Sequence, residues 1–284
     1  MTTPLLDVDD LSVEYRRGRK RTMAVRDVSF TIGEGETLGL VGESGSGKST
    51  IGKAILGLVA AHRGTIRFAG RDITHLPRTE RNALTSDIQV VYQDPYSSLD
   101  PTKPIGYTLA EPIQVHDPGP REQVAERVLA MLRRVGLGED AATRYPAQFS
   151  GGQRQRIAVA RALILSPKLV VCDEPVSALD LSIQAEVINL MAGLQRESGA
   201  SFLFISHDLS IVHHISDRLV VLKDGQIVEQ GDAAEIYRAP EDDYTKRLIA
   251  AAPVPDPDEQ ARRNAARLGQ APRRQSEETV LSAP

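Results

Sequence analysis

The sequence predicts an α/β fold, a parallel β-sheet covered by helices, on three observations. Apolar runs rich in β-branched residues alternate with stretches of helical pattern, which is the order that a parallel sheet with helical crossovers requires. A candidate strand at Thr37–Val41 runs into a glycine-rich loop and then into a helix from about Lys48 to Leu58. Between Pro95 and about Leu165 strand character fades, and helices are predicted at Ile105–Val115, Glu122–Val135 and Gly151–Leu165. That stretch reads as a helical subdomain inserted into the core.

The remaining strands follow from pattern. Ile88–Tyr92, Leu169–Asp173 and Ser201–Ser206 are short apolar runs. Arg218–Lys223 and Gln226–Gln230 flank Asp224-Gly225, a strong two-residue hairpin signal. The basic run Arg16-Arg17-Gly18-Arg19-Lys20-Arg21 reads as a solvated loop between two strands. Residues 253–284 are rich in Pro, Ala, Arg and Glu with few large apolar side chains, and are expected to form a mobile tail. Each motif described below occurs once, so the chain holds one unit of its kind.

Composition narrows the function classes. The chain has 284 residues, 41% of them hydrophobic and 25% charged, ordinary proportions for a soluble globular protein. A formal net charge of -4 argues against a general electrostatic grip on nucleic acid. No apolar run approaches the ~18–20 residues that cross a bilayer, and Met1-Thr2-Thr3-Pro4 lacks the features of a secretory signal. The single cysteine, Cys172, rules out an intrachain disulfide and is expected to pack as a small core hydrophobe. The chain therefore reads as cytosolic, with any membrane role supplied through a partner.

Two motifs carry chemistry on their residues alone. Gly42-Glu43-Ser44-Gly45-Ser46-Gly47-Lys48-Ser49-Thr50 fits G-x-x-x-x-G-K-[ST]. Its glycines open backbone conformations in which successive N–H groups point inward at phosphate oxygens, and the helix that follows adds a favourable dipole. Lys48 is placed to reach the β- and γ-phosphates and the Ser49 hydroxyl to ligate Mg²⁺. Downstream, Leu169-Val170-Val171-Cys172 ends in Asp173-Glu174. The carboxyl end of a buried parallel strand faces the ligand crevice, so Asp173 is expected to hold Mg²⁺ directly or through water. Glu174, one residue on, is the expected general base for an attacking water.

At Phe149-Ser150-Gly151-Gly152-Gln153-Arg154-Gln155-Arg156 the chain resembles the signature of the ATP-binding cassette family. A serine and two glycines just before a helix make a second anion-binding cap. The resemblance implies a P-loop NTPase core with a mixed sheet, an antiparallel β subdomain and an inserted helical subdomain at about 95–165, spanning about 5–252. It further implies ATP and Mg²⁺ as ligands, and head-to-tail pairing of two ATPase domains around two ATP molecules. Ser150, Gly151, Gly152 and Gln153 would then contact the nucleotide of the facing subunit. Asp180, closing Ser177-Ala178-Leu179-Asp180, matches the loop that communicates across that interface. His207 matches the switch histidine, Gln93 the glutamine that touches Mg²⁺ or water and couples to membrane partners, and Tyr15 the aromatic that stacks on adenine.

Gln93-Asp94-Pro95-Tyr96-Ser97-Ser98-Leu99-Asp100-Pro101 and Tyr244-Thr245-Lys246-Arg247-Leu248-Ile249-Ala250-Ala251-Ala252-Pro253 resemble ATPases of oligopeptide, dipeptide and nickel importers. The chain departs from that branch at Asp242-Asp243, where His-Pro is usual, and at Ala147-Gln148, where His-Glu is common. The branch implies two transmembrane permease subunits, a second ATPase (paralogue or self), an extracytoplasmic solute-binding protein and a peripheral place at the cytoplasmic face of the membrane, with no nucleic acid. Nickel or glutathione as cargo, an exporter, and a non-transport ATPase acting on DNA or ribosomes stand as alternatives.

Overall fold

A computed structural model describes residues 3–18, 20–94 and 98–251. The expected tail at 253–284 lies outside them, as does the middle of the loop that follows Gln93. In chain order the first elements are β1 (Leu6–Arg17), β2 (Lys20–Ile32), β3 (Thr37–Val41), α1 (Lys48–Ile55), β4 (Arg63–Phe68) and β5 (Arg71–Asp72). Then come α2 (Arg78–Ala83), β6 (Ile88–Val91), α3 (Ile105–His116), α4 (Arg121–Arg134), α5 (Gly151–Leu163) and β7 (Leu169–Asp173). The last are α6 (Leu181–Ser198), β8 (Ser201–Ser206), α7 (Leu209–Ile215), β9 (Arg218–Lys223), β10 (Gln226–Asp232), α8 (Ala233–Arg238) and α9 (Asp243–Ala251).

These strands form a four-stranded sheet, β2-β1-β4-β5, and a six-stranded sheet, β10-β9-β3-β8-β7-β6. The first is antiparallel throughout. The second is parallel except where β10 pairs antiparallel with β9, so it is mixed, as the family resemblance implies. The chain between β6 and β7 is helical, carrying α3, α4 and α5.

A strand shows alternate side chains to opposite faces, and in the parallel strands both faces are apolar. Leu38 and Leu40, Leu169 and Val171, Leu203 and Ile205, Val220 and Leu222 pack with Ile51 and Ile55 of α1 and with Leu11 and Phe30 of the antiparallel sheet. Their neighbours Val41, Val170, Cys172, Phe202, Phe204, Leu219 and Val221 pack on the other side with Ile157, Val187, Met191 and Val212. A run such as Phe202-Leu203-Phe204-Ile205 therefore serves two cores at once. Each fully buried aliphatic or aromatic side chain contributes about 1.5–3 kcal/mol relative to exposure.

Two elements differ from expectation by more than two residues at an end. The helix after the glycine-rich loop stops at Ile55, three residues short of Leu58, because Gly57 takes φ 70° and turns the chain out of the helix. The basic run is strand for most of its length: Arg16 pairs with Arg21 and Arg17 with Lys20 across a turn at Gly18, φ 63°. Cross-strand pairing thus extends the hairpin into what patterning marked as loop, and Arg16 meets Glu14 at 2.8 Å.

Among the described residues no helix is long and apolar enough to cross a membrane. Cys172 is fully buried in β7, and burial pushes its thiol far above the usual cysteine range. Iodoacetamide at pH 8 should therefore leave the native protein unlabelled and modify it once denaturant is added. Native-state labelling at the rate of a free thiol would show that β7 is not packed as described.

Candidate nucleotide site

All five residues of β3 are buried, and the chain leaves the sheet at Gly42, where a Cβ would stand 2.1 Å from the Leu222 carbonyl oxygen. The loop closes on Gly47, φ 105°, the residue before α1, where a Cβ would stand 2.4 Å from the Ala24 carbonyl oxygen. Both positions need glycine for room, and Gly47 also for its left-handed backbone. The turn between β9 and β10 braces the loop from behind. Gly225 N donates to the Ser46 carbonyl at 3.0 Å, and the Gly225 carbonyl accepts from Arg26 N of β2 at 2.8 Å. The loop is thus held by both sheets.

Lys48 is only 4% exposed, and its ammonium donates to the carbonyls of Gly42 at 2.7 Å and Glu43 at 2.8 Å. Burial lowers its pKa, and the charges of Glu174, Asp173 and Glu43 work in the opposite direction. The Ser49 hydroxyl donates to Asp173 Oδ1 at 2.7 Å. Glu174 takes φ 49°, a conformation uncommon outside glycine, and its N–H donates to the Ile205 carbonyl of β8 at 2.9 Å. That kink at the strand end sets Glu174 Oε2 3.4 Å from His207 Nδ1, with the His207 side chain 54% exposed. An open cleft of about 340 Å³ runs between Gly45, Gly47, Lys48, Ser49, Gln93 and Glu174. Ser44 and Thr50 also line it. Tyr15 stands beside it, its hydroxyl 3.5 Å from Thr50 Oγ1 and its side chain 41% exposed.

The remaining predicted residues lie elsewhere. Ser150 caps α5: its hydroxyl accepts from Gln153 N at 3.3 Å, while Gln153 Oε1 accepts from Ser150 N at 3.0 Å. This reciprocal box leaves the helix start well defined. Gly152 lies so close to α6 that a Cβ would stand 2.4 Å from Ile183 Cγ2. Gly151 is the first residue of α5 and Asp180 directly precedes α6. A second cleft of about 230 Å³ includes Ser150, Gly152, Gln153, Arg156 and Ile183, and it shares no lining residue with the first. One chain therefore presents two separate clefts, as the expectation of two half-sites facing different subunits requires.

The fragment from Ala24 to Arg26, the Asp224-Gly225 turn and Tyr244 also hold the loop; Tyr244 opens the C-terminal segment that resembles importer ATPases, but nothing in the sequence joined any of them to the loop. Glu43 N donates to the Tyr244 hydroxyl across a sequence separation of 201 residues. The hairpin signal at Asp224-Gly225 was legible, but not that its turn would abut the loop.

The model of the ABC transporter family matches residues 25–177, from β2 through the loop to the segment after Glu174. The chain belongs to the ABC transporter family. It is 50% identical over 264 residues to the oligopeptide transport ATP-binding protein OppF of Salmonella typhimurium, covering 89% of this chain and 79% of that one. The glutathione import ATP-binding protein GsiA of Pectobacterium atrosepticum is 48% identical, over 91% of this chain and 43% of its own length. Among solved structures, the dimeric post-hydrolysis state of the ATP-binding cassette MJ0796 with ADP and Pi superimposes with a TM-score of 0.73 at 28% identity, over 80% of this chain and 98% of that one. As an ABC ATPase, the chain hydrolyses ATP on the α/β fold described above.

Replacing Gly47 by Ala should abolish tight nucleotide binding. The left-handed backbone alone costs about 1–2 kcal/mol, and the Ala24 carbonyl leaves the new methyl no room. Titration with a fluorescent ATP analogue should show at least about a tenfold loss of affinity with the circular dichroism spectrum unchanged. Wild-type affinity in Gly47→Ala would overturn the assignment of this loop.

Proposed function

We propose that this ABC ATPase energises a peptide importer at the cytoplasmic face of a membrane. It works there with two permease subunits, a second ABC ATPase and an extracytoplasmic solute-binding protein. The chemistry rests on one observation: the Ser49–Asp173 contact, the Lys48 ammonium and the Glu174–His207 pair meet along the carboxyl ends of β3, β7 and β8. The peptide assignment rests on half-identity to the oligopeptide relative over most of both chains.

The site residues divide the work. The loop Gly42–Thr50 binds the phosphates of ATP through its amides and Lys48, and Tyr15 packs on the adenine. The Ser49 hydroxyl and Asp173 carboxylate are hard oxygen donors 2.7 Å apart. They suit Mg²⁺, which takes few protein ligands and completes its shell with water and phosphate; Gln93, lining the same cleft, is the third candidate donor. The ion, when bound, neutralises charge on the phosphate oxygens. Glu174 accepts the proton of the attacking water, and His207, beside it, orients that water and the γ-phosphate. The second half-site, Ser150, Gly151, Gly152 and Gln153 with Asp180, closes on the nucleotide held by the facing subunit. The capped start of α5 supplies oriented donors where charge develops. ATP thereby joins two subunits, and hydrolysis lets them part.

Import of glutathione is the second reading, carried by the 48% identity to the glutathione relative. Purification of the tagged chain from solubilised native membranes separates the two: the ligand of the co-purifying binding protein names the cargo. Recovery only with ribosomes or DNA-repair proteins would remove the transport reading and leave the ATPase.

Glu174→Gln keeps the shape of the side chain and removes its basicity. Hydrolysis should fall by roughly 10²–10⁴, while ATP binding persists and size-exclusion chromatography shows a nucleotide-dependent dimer. Multi-turnover hydrolysis near the wild-type rate would remove Glu174 from the role of base.

A further inference from the structure

The peptide bond between Gly42 and Glu43 is gripped at both of its polar ends. Its carbonyl, on Gly42, accepts from the Lys48 ammonium at 2.7 Å. Its N–H, on Glu43, donates to the Tyr244 hydroxyl at 2.8 Å. A peptide group is planar, so fixing the N–H direction also fixes where the carbonyl points. The orientation of the carbonyl that receives Lys48 is therefore tied to a phenol in α9.

Tyr244 is held as a fixed anchor would be. It is 4% exposed, and the Lys223 ammonium lies 5.4 Å from its ring centroid. Asp242 Oδ1 accepts from Tyr244 N at 2.7 Å, capping the start of α9. The Glu229 carboxylate of β10 accepts from Glu241 N at 2.9 Å and Asp242 N at 3.2 Å, pinning the approach to that helix. Here Asp242, one of the two acids at Asp242-Asp243, has a structural task. Next along the helix, Thr245 is fully buried and its hydroxyl has no hydrogen-bond partner, so the two adjacent hydroxyls differ in what they hold.

We propose that Tyr244 is a positioning residue for the phosphate loop: by fixing the Gly42–Glu43 peptide it aims the Gly42 carbonyl at Lys48 and keeps the loop ready for nucleotide. This rests on the reading of Gly42–Thr50 as the ATP site, and it adds α9 to the machinery as a strut that acts without touching substrate. In Tyr244→Phe the ring stays and only the hydroxyl is lost, leaving Glu43 N–H without its acceptor.

The test uses the full-length chain and Mg-ATP. Tyr244→Phe should raise Kd and KM for Mg-ATP roughly three- to tenfold, the effect of one lost buried hydrogen bond, with kcat changed less than twofold, about the pattern of lost uniform binding. Thr245→Val, which removes the neighbouring unpartnered hydroxyl, should leave Kd and KM unchanged. Equal weakening in both variants would overturn the proposal in favour of a general packing effect of α9, and wild-type affinity in Tyr244→Phe would overturn it outright. Should Tyr244→Phe fail to fold, amide exchange in the wild-type protein decides: protection of the Glu43 N–H well above that of exposed loop amides supports the clamp, and exchange at the exposed-loop rate sinks it. Lys48→Ala keeps the two readings apart. If it binds Mg-ATP like the wild type, the loop itself is misassigned; if it loses binding while Tyr244→Phe does not, only the strut is wrong.

Discussion

Parallel pairing is the constraint on which the rest of the molecule depends. β9, β3, β8, β7 and β6 run the same way in one sheet, so their carboxyl ends share an edge. Whatever follows each strand is delivered there: the glycine loop after β3, Glu174 after β7, His207 after β8 and Gln93 just beyond β6. Register sharpens the delivery, because Val41 lies opposite Ser206 and Asp173 opposite Ile205. Residues more than a hundred positions apart in sequence thereby meet within hydrogen-bonding distance, as Ser49 and Asp173 do. The same pairing obliges each strand to be apolar on both faces, and the two cores flanking the sheet are the result.

That obligation is why so much of the core was legible. A strand buried on both sides reads as an unbroken apolar run, and Thr37–Val41, Leu169–Asp173, Ser201–Ser206 and Arg218–Lys223 were bounded as the structure has them. The antiparallel sheet was harder. β4 carries Arg63, Gly64, Thr65 and Arg67, and only Ile66 and Phe68 of its six residues are buried, so its pattern is too sparse to stand out. β5 is two exposed residues, visible only through pairing with β4. Helices α7 and α8 are seven and six residues long, and each is capped by an aspartate, Asp208 and Asp232 respectively. Such short helices depend on their caps and on packing more than on periodicity.

The site divides in the same way. Residues whose role is local, the loop glycines, Lys48, Ser49 and the Ser150 cap, could be read from spacing because their chemistry is set by the backbone around them. Gln93, His207, Tyr15 and Asp180 depended on resemblance. In the structure Gln93 borders the cleft, His207 meets Glu174, the Tyr15 hydroxyl lies near that of Thr50, and Asp180 lies apart at the head of α6. The contacts of Gly225 and Tyr244 with the loop were invisible, since contacts across the whole chain leave no trace in a short window.

The span of those contacts has a consequence for how the molecule comes into being. Its glycine-rich loop is touched by β2 near the beginning, by the turn at Gly225 and by Tyr244 of α9 near the end of the described chain. Contacts of such separation are costly to close, because a long stretch of chain must be ordered before any of them is rewarded. A nascent chain lacking α9 carries every motif of the loop and still lacks one of its braces. Should ATP binding lean on the Tyr244 brace as proposed, ATP would favour chains whose last helix has docked, because a ligand stabilises only the state that binds it. The nucleotide would then also serve as an inspector of assembly.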